Sequence, residues 1–407
     1  MQLSDINLID PEIFERGVPH DQFTFLRKEA PVFWHTDERG GFWNLTKHDD
    51  VSHASRDSKL FSSYARSALY NVEDEPALSE VRLMMLNLDP PDHTKLRRIV
   101  NRGFTPSRIK ELHDMLIQRS TEIVDAIAQR GECDFVLDVA CELPLQAIAD
   151  LVGIPQEDRH KVFDFSNKLI GFDDPEFGTG EEDAREAAAE LYMYAQGLAD
   201  DRRANPRDDI VTNLLTPHDG ESLDEMEFNM FFMLLAVAGN ETTRNGISHA
   251  MLTLMQHPDQ RQILLDDPSA MDSAIEEFLR WSTPVMHFKR TATRDTEIRG
   301  QQIKEGDRVI MWYSSANRDE EVFDDPFKFD VRRDPNLHTL HQAFGGGGHH
   351  FCLGANLARL EMKVILEELL RRLPDMELAG EPRRLRSNFI NGIKNMPVTF
   401  TPEVRRG

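Results

Sequence analysis

The sequence predicts a mainly α-helical protein with small β-sheets, folded as a single domain. Three observations support this fold class. From about Pro90 onward the hydrophobic pattern is mostly helical, one helical pattern continues unbroken over residues 222–257, and strand-like residues are concentrated at 291–312. We expect a β-rich part over about residues 1–88 and a helical body over about 89–407, with no linker between them.

Start and stop signals place the elements along the chain. They predict helices at residues 90–106, 107–131, 181–205, 222–257, 269–281 and 354–372. Ser222 and Glu225 form a capping-box pattern before the long helix. At 1.5 Å per residue, that helix is about 50 Å long. Strands are expected on either side of a turn at residues 304–307.

Composition excludes several functions. The 407 residues include 47 Lys and Arg against 71 Asp and Glu, which gives a formal charge of −24. Such a surface repels phosphate backbones and anionic headgroups, so nucleic acid or membrane binding is not the main function. The longest apolar stretch, residues 230–239, is about half of the ~20 residues that span a bilayer. Three cysteines and no signal-peptide pattern predict a cytoplasmic protein, which we expect to be a monomer.

The strongest chemical signal is residues 344–354 (FGGGGHHFCLG), directly before the last helix. A phosphate loop would need Lys and Ser or Thr after the glycines, and a zinc site would need a second Cys/His cluster. A free cysteine is most often buried and inert. However, Cys352 precedes a helix N-terminus, which stabilises a thiolate, and glycines let the backbone approach a flat ligand. Haem-thiolate ligation requires a single thiolate of this kind.

Two further patterns on helices are weak when taken alone. In residues 238–244 (AGNETTR), Glu241 stands beside Thr242. The Thr242 hydroxyl can bond back to the Ala238 carbonyl and bend the helix, whereas an acid beside a hydroxyl can also relay protons. Glu277 and Arg280 share one helix face, as a surface salt bridge does.

A third pattern lies on the first predicted helix of the body. His93 and Arg97 share one face at a spacing of four residues. Such a pair could donate hydrogen bonds to two anionic groups, but a solvated basic face is the ordinary explanation.

In this order along the chain, the patterns resemble the cytochrome P450 superfamily of haem-thiolate monooxygenases, in its bacterial class, from about Asp89 onward. The resemblance implies a P450 fold whose long central helix crosses the haem, haem b as cofactor, and Cys352 as the iron ligand. It implies that Glu241 and Thr242 relay protons to bound dioxygen. It further implies a structural trio of Glu277, Arg280 and Arg333, and haem-propionate contacts at His93, Arg97, Arg290, His341 and His350.

The sequence departs from the usual family pattern in two places. Phe344 stands eight residues before Cys352 instead of seven, and residues 336–341 are a few residues longer than usual, so that His338 competes with His341 for a propionate. The longer loop and the run AGNETTRN resemble actinobacterial enzymes that act on sterol side chains and methyl-branched lipids.

The resemblance also indicates a substrate pocket. Its walls would come from residues 83–86, 232–238, 285–288 and 388–391, which are rich in Met, Phe, Leu and Val. An apolar lipid is therefore the expected substrate, with His287 as an anchor for one polar end. The individual candidates are Val237, Ala238, Val285, Met286, His287 and Phe288.

The expected reaction is hydroxylation of an unactivated C–H bond with dioxygen. The sequence has no flavin or nicotinamide motif, so two electrons would come from a ferredoxin and a ferredoxin reductase. The basic run Lys95, Arg97, Arg98 and Arg102 is the expected docking face. A peroxide-driven peroxygenase is disfavoured, because the acid–alcohol pair is intact. A non-catalytic haem sensor or carrier stays open as the alternative.

Overall fold

The computed structural model describes residues 1–68, 75–170, 174–177, 181–207, 209–217, 222–333 and 336–404. The main chain of this part is mainly helical. Its α-helices, α1 to α16, are Pro11–Glu15, His20–Glu29, His48–Arg56, Glu75–Val81, Asp92–Val100, Pro106–Ile127, Glu142–Val152, Arg159–Ile170, Glu181–Ala204, Ile210–Leu215, Glu225–Gln256, Pro258–Asp266, Met271–Ser282, Tyr313–Ala316, Leu337–Leu340 and Ala355–Arg372. The fold class agrees with the prediction.

The strands are short and form four small sheets. Strands β1 to β12 are Val32–His35, Phe42–Leu45, Phe61–Ser62, Glu132–Asp134, His287–Ala292, Thr296–Ile298, Gln301–Ile303, Arg308–Trp312, Glu377–Leu378, Arg383–Arg384, Ile393–Asn395 and Pro397–Thr399. The largest sheet has the order β1-β2-β8-β5-β3, in which only the β2–β8 pair is parallel. The other sheets are β4-β12-β9, β10-β11 and β6-β7.

The expected β-rich character of about residues 1–88 is not found in the described residues. There this part of the chain has strands β1, β2 and β3 and helices α1 to α4. Its strands pair with β5 and β8 from the far end of the chain. The predicted body therefore shares its main sheet with the first part of the chain.

The long helix α11 is the centre of the molecule. It packs against α7, α8, α9, α13 and α16. Its second half is buried almost all around, from Asn240 to Leu254. The 32 residues make it about 48 Å long, which matches the expected length.

The start of α11 corrects one detail of the prediction. Asp224 is the N-cap, and its side chain accepts a hydrogen bond from the Glu227 backbone N–H, while the Glu227 side chain accepts from the Asp224 N–H. The capping box thus lies two residues after the predicted Ser222 and Glu225. Both boxes fit the pattern, but the carboxylate cap at Asp224 directly adjoins the helical residues.

The elements around α11 fix where the site can form. Helices α13 and α16 pack on one another and on α11, and α8 and α9 pack together on another side of it. A large apolar core joins these helices. Among the described residues, none of the helices is both long and apolar enough to cross a bilayer.

Candidate active site

The glycine-rich loop before α16 presents Cys352. All four consecutive glycines of the loop, residues 345–348, have positive φ angles. A Cβ atom at Gly346 would lie 2.6 Å from the Ser55 Oγ, and one at Gly348 would lie 2.5 Å from the Ser55 carbonyl oxygen. Only glycine allows this backbone shape and this approach to α3. The loop closes where the Cys352 backbone N–H donates to the Phe344 carbonyl, at 3.1 Å.

The thiol of Cys352 lies just before α16, whose N-cap is Gly354. Burial raises the pKa of this thiol, whereas the Gly354 N–H and the guanidinium groups of Arg97 and Arg359 lower it. These last three groups would stabilise a thiolate once a metal ion displaces the proton.

His341 is not a propionate contact, contrary to the prediction. Its Nε2 donates to a Glu276 carboxylate oxygen at 2.8 Å, and its Nδ1 accepts from the Ala343 backbone N–H at 3.2 Å. Both ring nitrogens are thus used inside the protein. Arg359 completes this group with bonds of 2.6 and 2.9 Å to Glu276 and lies 4.5 Å from the Phe344 ring. The other candidate, His338, is exposed on α15.

Glu277, Arg280 and Arg333 meet as one group, in which Glu277 and Arg280 are fully buried and Arg333 is partly exposed. Both carboxylate oxygens of Glu277 accept from Arg280 at 2.7 Å and from Arg333 at 3.1 and 3.2 Å. Arg280 also donates to the carbonyls of Asn317 and Pro326. The pair is therefore not an ordinary surface salt bridge, because its carboxylate ties α13 to the segment before α15.

Three of the predicted propionate contacts lie together beside the loop. The rings of His93 and His350 are 4.3 Å apart, and Arg290 is close enough to both to lower their pKa values. Burial is the largest cause in both histidines; it lowers the pKa of His93 to about 4, so both rings are neutral. His350 also shares a hydrogen bond of 3.2 Å with the Ser63 hydroxyl.

This group has donors without anionic partners. Arg290 is 4 % exposed and forms no ion pair with a carboxylate in the described part of the chain. The His93 Nδ1 is enclosed without a hydrogen-bond partner there. Arg97 lies one turn further along α5, near enough to Cys352 for their charges to interact. Because buried cations need compensation, two carboxylates next to the thiol would fit these residues well.

One face of α11 is less buried than the rest of the helix. Leu234, Val237 and Thr242 are half-buried and Ala238 is exposed, although the residues around them on α11 are buried. The Thr242 Oγ1 donates to the Ala238 carbonyl at 2.7 Å, which is the back-bond that the sequence suggested. Phe232, Met233 and other residues of the predicted pocket segment pack in the core instead.

Glu241 lies on another side of the same helix turn. It is 1 % exposed, and its carboxylate pairs with Arg244. Burial raises the pKa of this carboxyl, and the Arg244 charge opposes the rise. The acid and the hydroxyl therefore do not face each other.

The remaining pocket candidates divide into two groups. Val285 forms an isolated β-bridge with Ile390, and the Phe288 ring lies 5.5 Å from the Phe389 ring. Val285, Phe288 and Phe389 are partly exposed, whereas Ile390 is buried. Met286, by contrast, is 1 % exposed and packs into a separate cluster of N-terminal residues, so it does not line the pocket.

The polar pocket candidates differ in the groups that they contact. His287 stands edge-on against Trp312 at 4.6 Å, and burial lowers its pKa to about 3, so it is neutral. The Asn388 and Asn391 amides donate to backbone carbonyls and hold the C-terminal segment in place. Only Phe389 of that segment combines an apolar side chain with partial exposure.

Sequence reasoning missed Glu276, Arg359 and Arg244. Each is an ordinary charged residue on a helix, and its partner lies on another element or one turn away. The only available signal was the position of Glu276 directly before Glu277 and of Arg359 one helix turn into α16.

Taken together, these groups define a haem-thiolate site, because a thiolate-bound porphyrin needs both a lone cysteine and buried donors for its two carboxylates. The comparisons with known proteins agree with this class. The model of the Cytochrome P450 family matches residues 144–388. The chain belongs to the cytochrome P450 family, and it is a haem b-dependent monooxygenase.

Three relatives show how similar the chain is to known members. It is 46 % identical over 402 residues to the steroid C26-monooxygenase of Rhodococcus jostii, covering 96 % of this chain and 84 % of the relative. It is 43 % identical over 413 residues to the methyl-branched lipid omega-hydroxylase of Mycobacterium bovis, with coverages of 98 % and 95 %. A Mycobacterium marinum cytochrome P450 in complex with pseudoionone superposes with a TM-score of 0.88 at 39 % identity, over 95 % of this chain and 97 % of that one.

Proposed function

We propose that this enzyme hydroxylates an unactivated C–H bond of a large apolar lipid, either a sterol-type molecule or a methyl-branched fatty or isoprenoid chain. The observations that support the proposal are two sets of partly open, uncharged side chains: Leu234, Val237 and Ala238 on α11, and Phe288 beside Phe389. Such side chains bind by apolar area and offer nothing to a strongly polar substrate.

The names of the relatives support this substrate class. One is a steroid hydroxylase, one acts on methyl-branched lipids, and one binds pseudoionone. An apolar pocket separates similar chains by only about 1–3 kcal/mol per methylene. Several related lipids should therefore bind, and His287 would hold the polar end of one of them.

The residues divide the work as follows. The haem, when bound, supplies the activation of dioxygen. Cys352 would hold the iron, and His93, Arg97, Arg290 and His350 would hold the propionates. Thr242 would give up its bond to the Ala238 carbonyl and donate its hydroxyl proton toward the site, and Glu241, on the buried side of the same turn, would restore that proton.

Electrons come from a separate ferredoxin-type protein and its reductase. The donor docks on the side of α5, next to Cys352. The predicted cations of this face differ in exposure, and only the exposed ones are suitable for a test by mutation. Arg102 is half-buried, with its Nη1 enclosed, while Lys95 and Arg98 are exposed. Phe351, directly before the cysteine, is 41 % exposed and adds an apolar contact to this face. Acidic ferredoxins are attracted to such cations.

The two alternatives make different demands on the same residues. A peroxide-driven peroxygenase needs no proton relay, so the presence of both an acid and a hydroxyl at the adjacent positions Glu241 and Thr242 favours the dioxygen reaction. A haem sensor or carrier needs no open apolar surface beside the proton-donating hydroxyl.

The substrate class can be tested by titrating the ferric holoenzyme and following the spin-state change in its absorption spectrum. Sterols, methyl-branched fatty acids and terpenes should bind tightly, and small polar aromatics weakly. Ala238→Phe should weaken lipid binding at least tenfold, because the ring fills the open face. Met226→Phe, at an exposed position of the same helix, should not. Tight binding confined to the polar aromatics would overturn the lipid assignment.

A further inference from the structure

The side chains of Glu241 and Thr242 point in different directions around α11. Successive residues of a helix are about 100° apart. Thr242 lies on the half-open face with Ala238, whereas Glu241 is buried on the side where α11 meets α7 and α8. A carboxyl in this position needs a compensating partner, because burial alone disfavours its charged form.

That compensation comes from Arg244, one turn further along α11. Its Nη2 pairs with the Glu241 Oε2, and its Nη1 donates to the Asn167 Oδ1 of α8 at 3.2 Å. Arg244 is only 3 % exposed, so the pair is shielded from solvent. The other carboxylate oxygen, Oε1, is enclosed and has no hydrogen-bond partner in the described part of the chain. One oxygen is thus held firmly, and the other is available for a proton.

We propose that Arg244 is the positioning residue of Glu241: it holds the carboxylate on the α7–α8 side of α11, and Asn167 fixes the guanidinium from α8. This inference rests on the proposed monooxygenase function, in which Glu241 renews the Thr242 proton. It assigns to Arg244 the setting of the pH range in which that renewal works.

The surroundings of Glu241 leave Arg244 as the dominant charge. Cys141, at the start of α7, is close to both residues, and burial raises its pKa to about 12, so it is an uncharged thiol. Glu142 follows it and pairs with Arg159 and His160. Burial raises the pKa of Glu241 and the Arg244 charge lowers it. Removing that charge therefore moves the pKa of Glu241 further upward.

The test compares Arg244→Gln, which keeps hydrogen-bond donors but loses the charge, with Arg244→Lys, which keeps the charge. The protonation of Glu241 is followed by the infrared band of its carboxylic acid in the resting holoenzyme, with Glu241→Gln in each background as the blank. We expect the pH midpoint of Glu241 protonation to rise by about 1–3 pH units in Arg244→Gln. It should rise by less than half of that in Arg244→Lys.

Product yield per electron, measured across pH, is the second readout. Its pH dependence should move with the midpoint in Arg244→Gln and stay near that of the wild type in Arg119→Gln, which breaks the more exposed pair with Glu122 on α6. A midpoint that does not move in Arg244→Gln would overturn the proposal. So would a midpoint that moves while the pH dependence of the yield stays in place.

Asn167→Ala keeps the experiment decisive if Arg244→Gln does not fold. Loss of its hydrogen bond should raise the Glu241 midpoint by roughly 0.4 pH units or more, and no rise would contradict the role of α8. The infrared measurement needs no turnover. A wild-type enzyme that forms no product would therefore reject the proposed function, while the midpoints would still decide the role of Arg244.

Discussion

The chemistry of the site depends most on the thiol of Cys352. Burial disfavours its charged form, and the opposing influences are one backbone N–H and two guanidinium groups, those of Arg97 and Arg359. Iron coordination would supply the remaining stabilisation, because a metal-bound thiol loses its proton outright. Without the metal, we expect this cysteine to be a weakly reactive thiol.

Cys352→Ala removes the one thiolate that the site can offer. The reduced, CO-bound wild-type holoenzyme should show the strongly red-shifted Soret band of cysteinate coordination, and the variant should lose it. Cys141→Ala, which removes another buried cysteine, is the control and should keep the band. Retention of the band at full haem occupancy in Cys352→Ala would show that the ligand assignment is wrong.

Thr242→Ala should uncouple electron use from product formation. The hydroxyl now bonds to the Ala238 carbonyl, and its loss removes an ordered proton donor from the half-open face. Product per electron should fall by about 100-fold, at the lower end of general-acid effects, with peroxide released instead. Thr253→Ala, which removes a similar back-bond further along α11, should leave the yield unchanged. An unchanged yield in Thr242→Ala would remove the basis for the relay.

At the scale of elements, the cysteine loop is fixed from both ends. Gly346 and Gly348 pack on α3, while Glu276 of α13 binds both His341 before the loop and Arg359 after it. Burial alone would raise the pKa of Glu276, but these hydrogen bonds hold it at about 2. The carboxylate therefore stabilises the fold above its unfolded pKa of about 4.5, and that contribution is lost as the pH falls toward 2.

Glu276→Gln should accordingly lower the free energy of unfolding by about 3 kcal/mol at pH 7. The difference from the wild type should shrink as the pH falls from 4.5 toward 2, because the unfolded wild-type chain then binds a proton that the folded carboxylate does not. Urea unfolding across this range measures it. Glu122→Gln, at a half-exposed pair, should differ little from the wild type at any pH. A deficit in Glu276→Gln that stayed constant with pH would contradict this account.

The elements also show how far the sequence could be interpreted. The bounds of α11, α13 and α16 were predicted to within a few residues, because each has clear end signals. Helices α7, α8 and α12 were not predicted, although α7 and α8 are amphipathic. Within the site, Cys352 and the Glu277 trio followed from motifs. The position of His341 did not, because only the fold brings Glu276 to it.

At the scale of the whole molecule, the proposed docking of an electron donor depends on the charge distribution. The chain has a formal charge of −24, so the exposed cations Lys95 and Arg98 on α5 are a local exception. Charge reversal at both should slow reduction by a ferredoxin about tenfold or more at low ionic strength and much less at high salt. Lys304→Glu, at an exposed position on the main sheet side, should reduce at the wild-type rate. Equal reduction rates at low salt for the wild type, the variant reversed at Lys95 and Arg98, and Lys304→Glu would exclude this docking face.

The most direct test of the central claim is the origin of the oxygen in the product. The holoenzyme is supplied with reduced ferredoxin and ¹⁸O₂, and a sterol with an intact side chain or a methyl-branched fatty acid is added. We predict a hydroxylated lipid that carries one ¹⁸O atom. Lipids that return unchanged, or a product whose oxygen comes only from water or peroxide, would contradict the assignment of this enzyme as a dioxygen-dependent lipid hydroxylase.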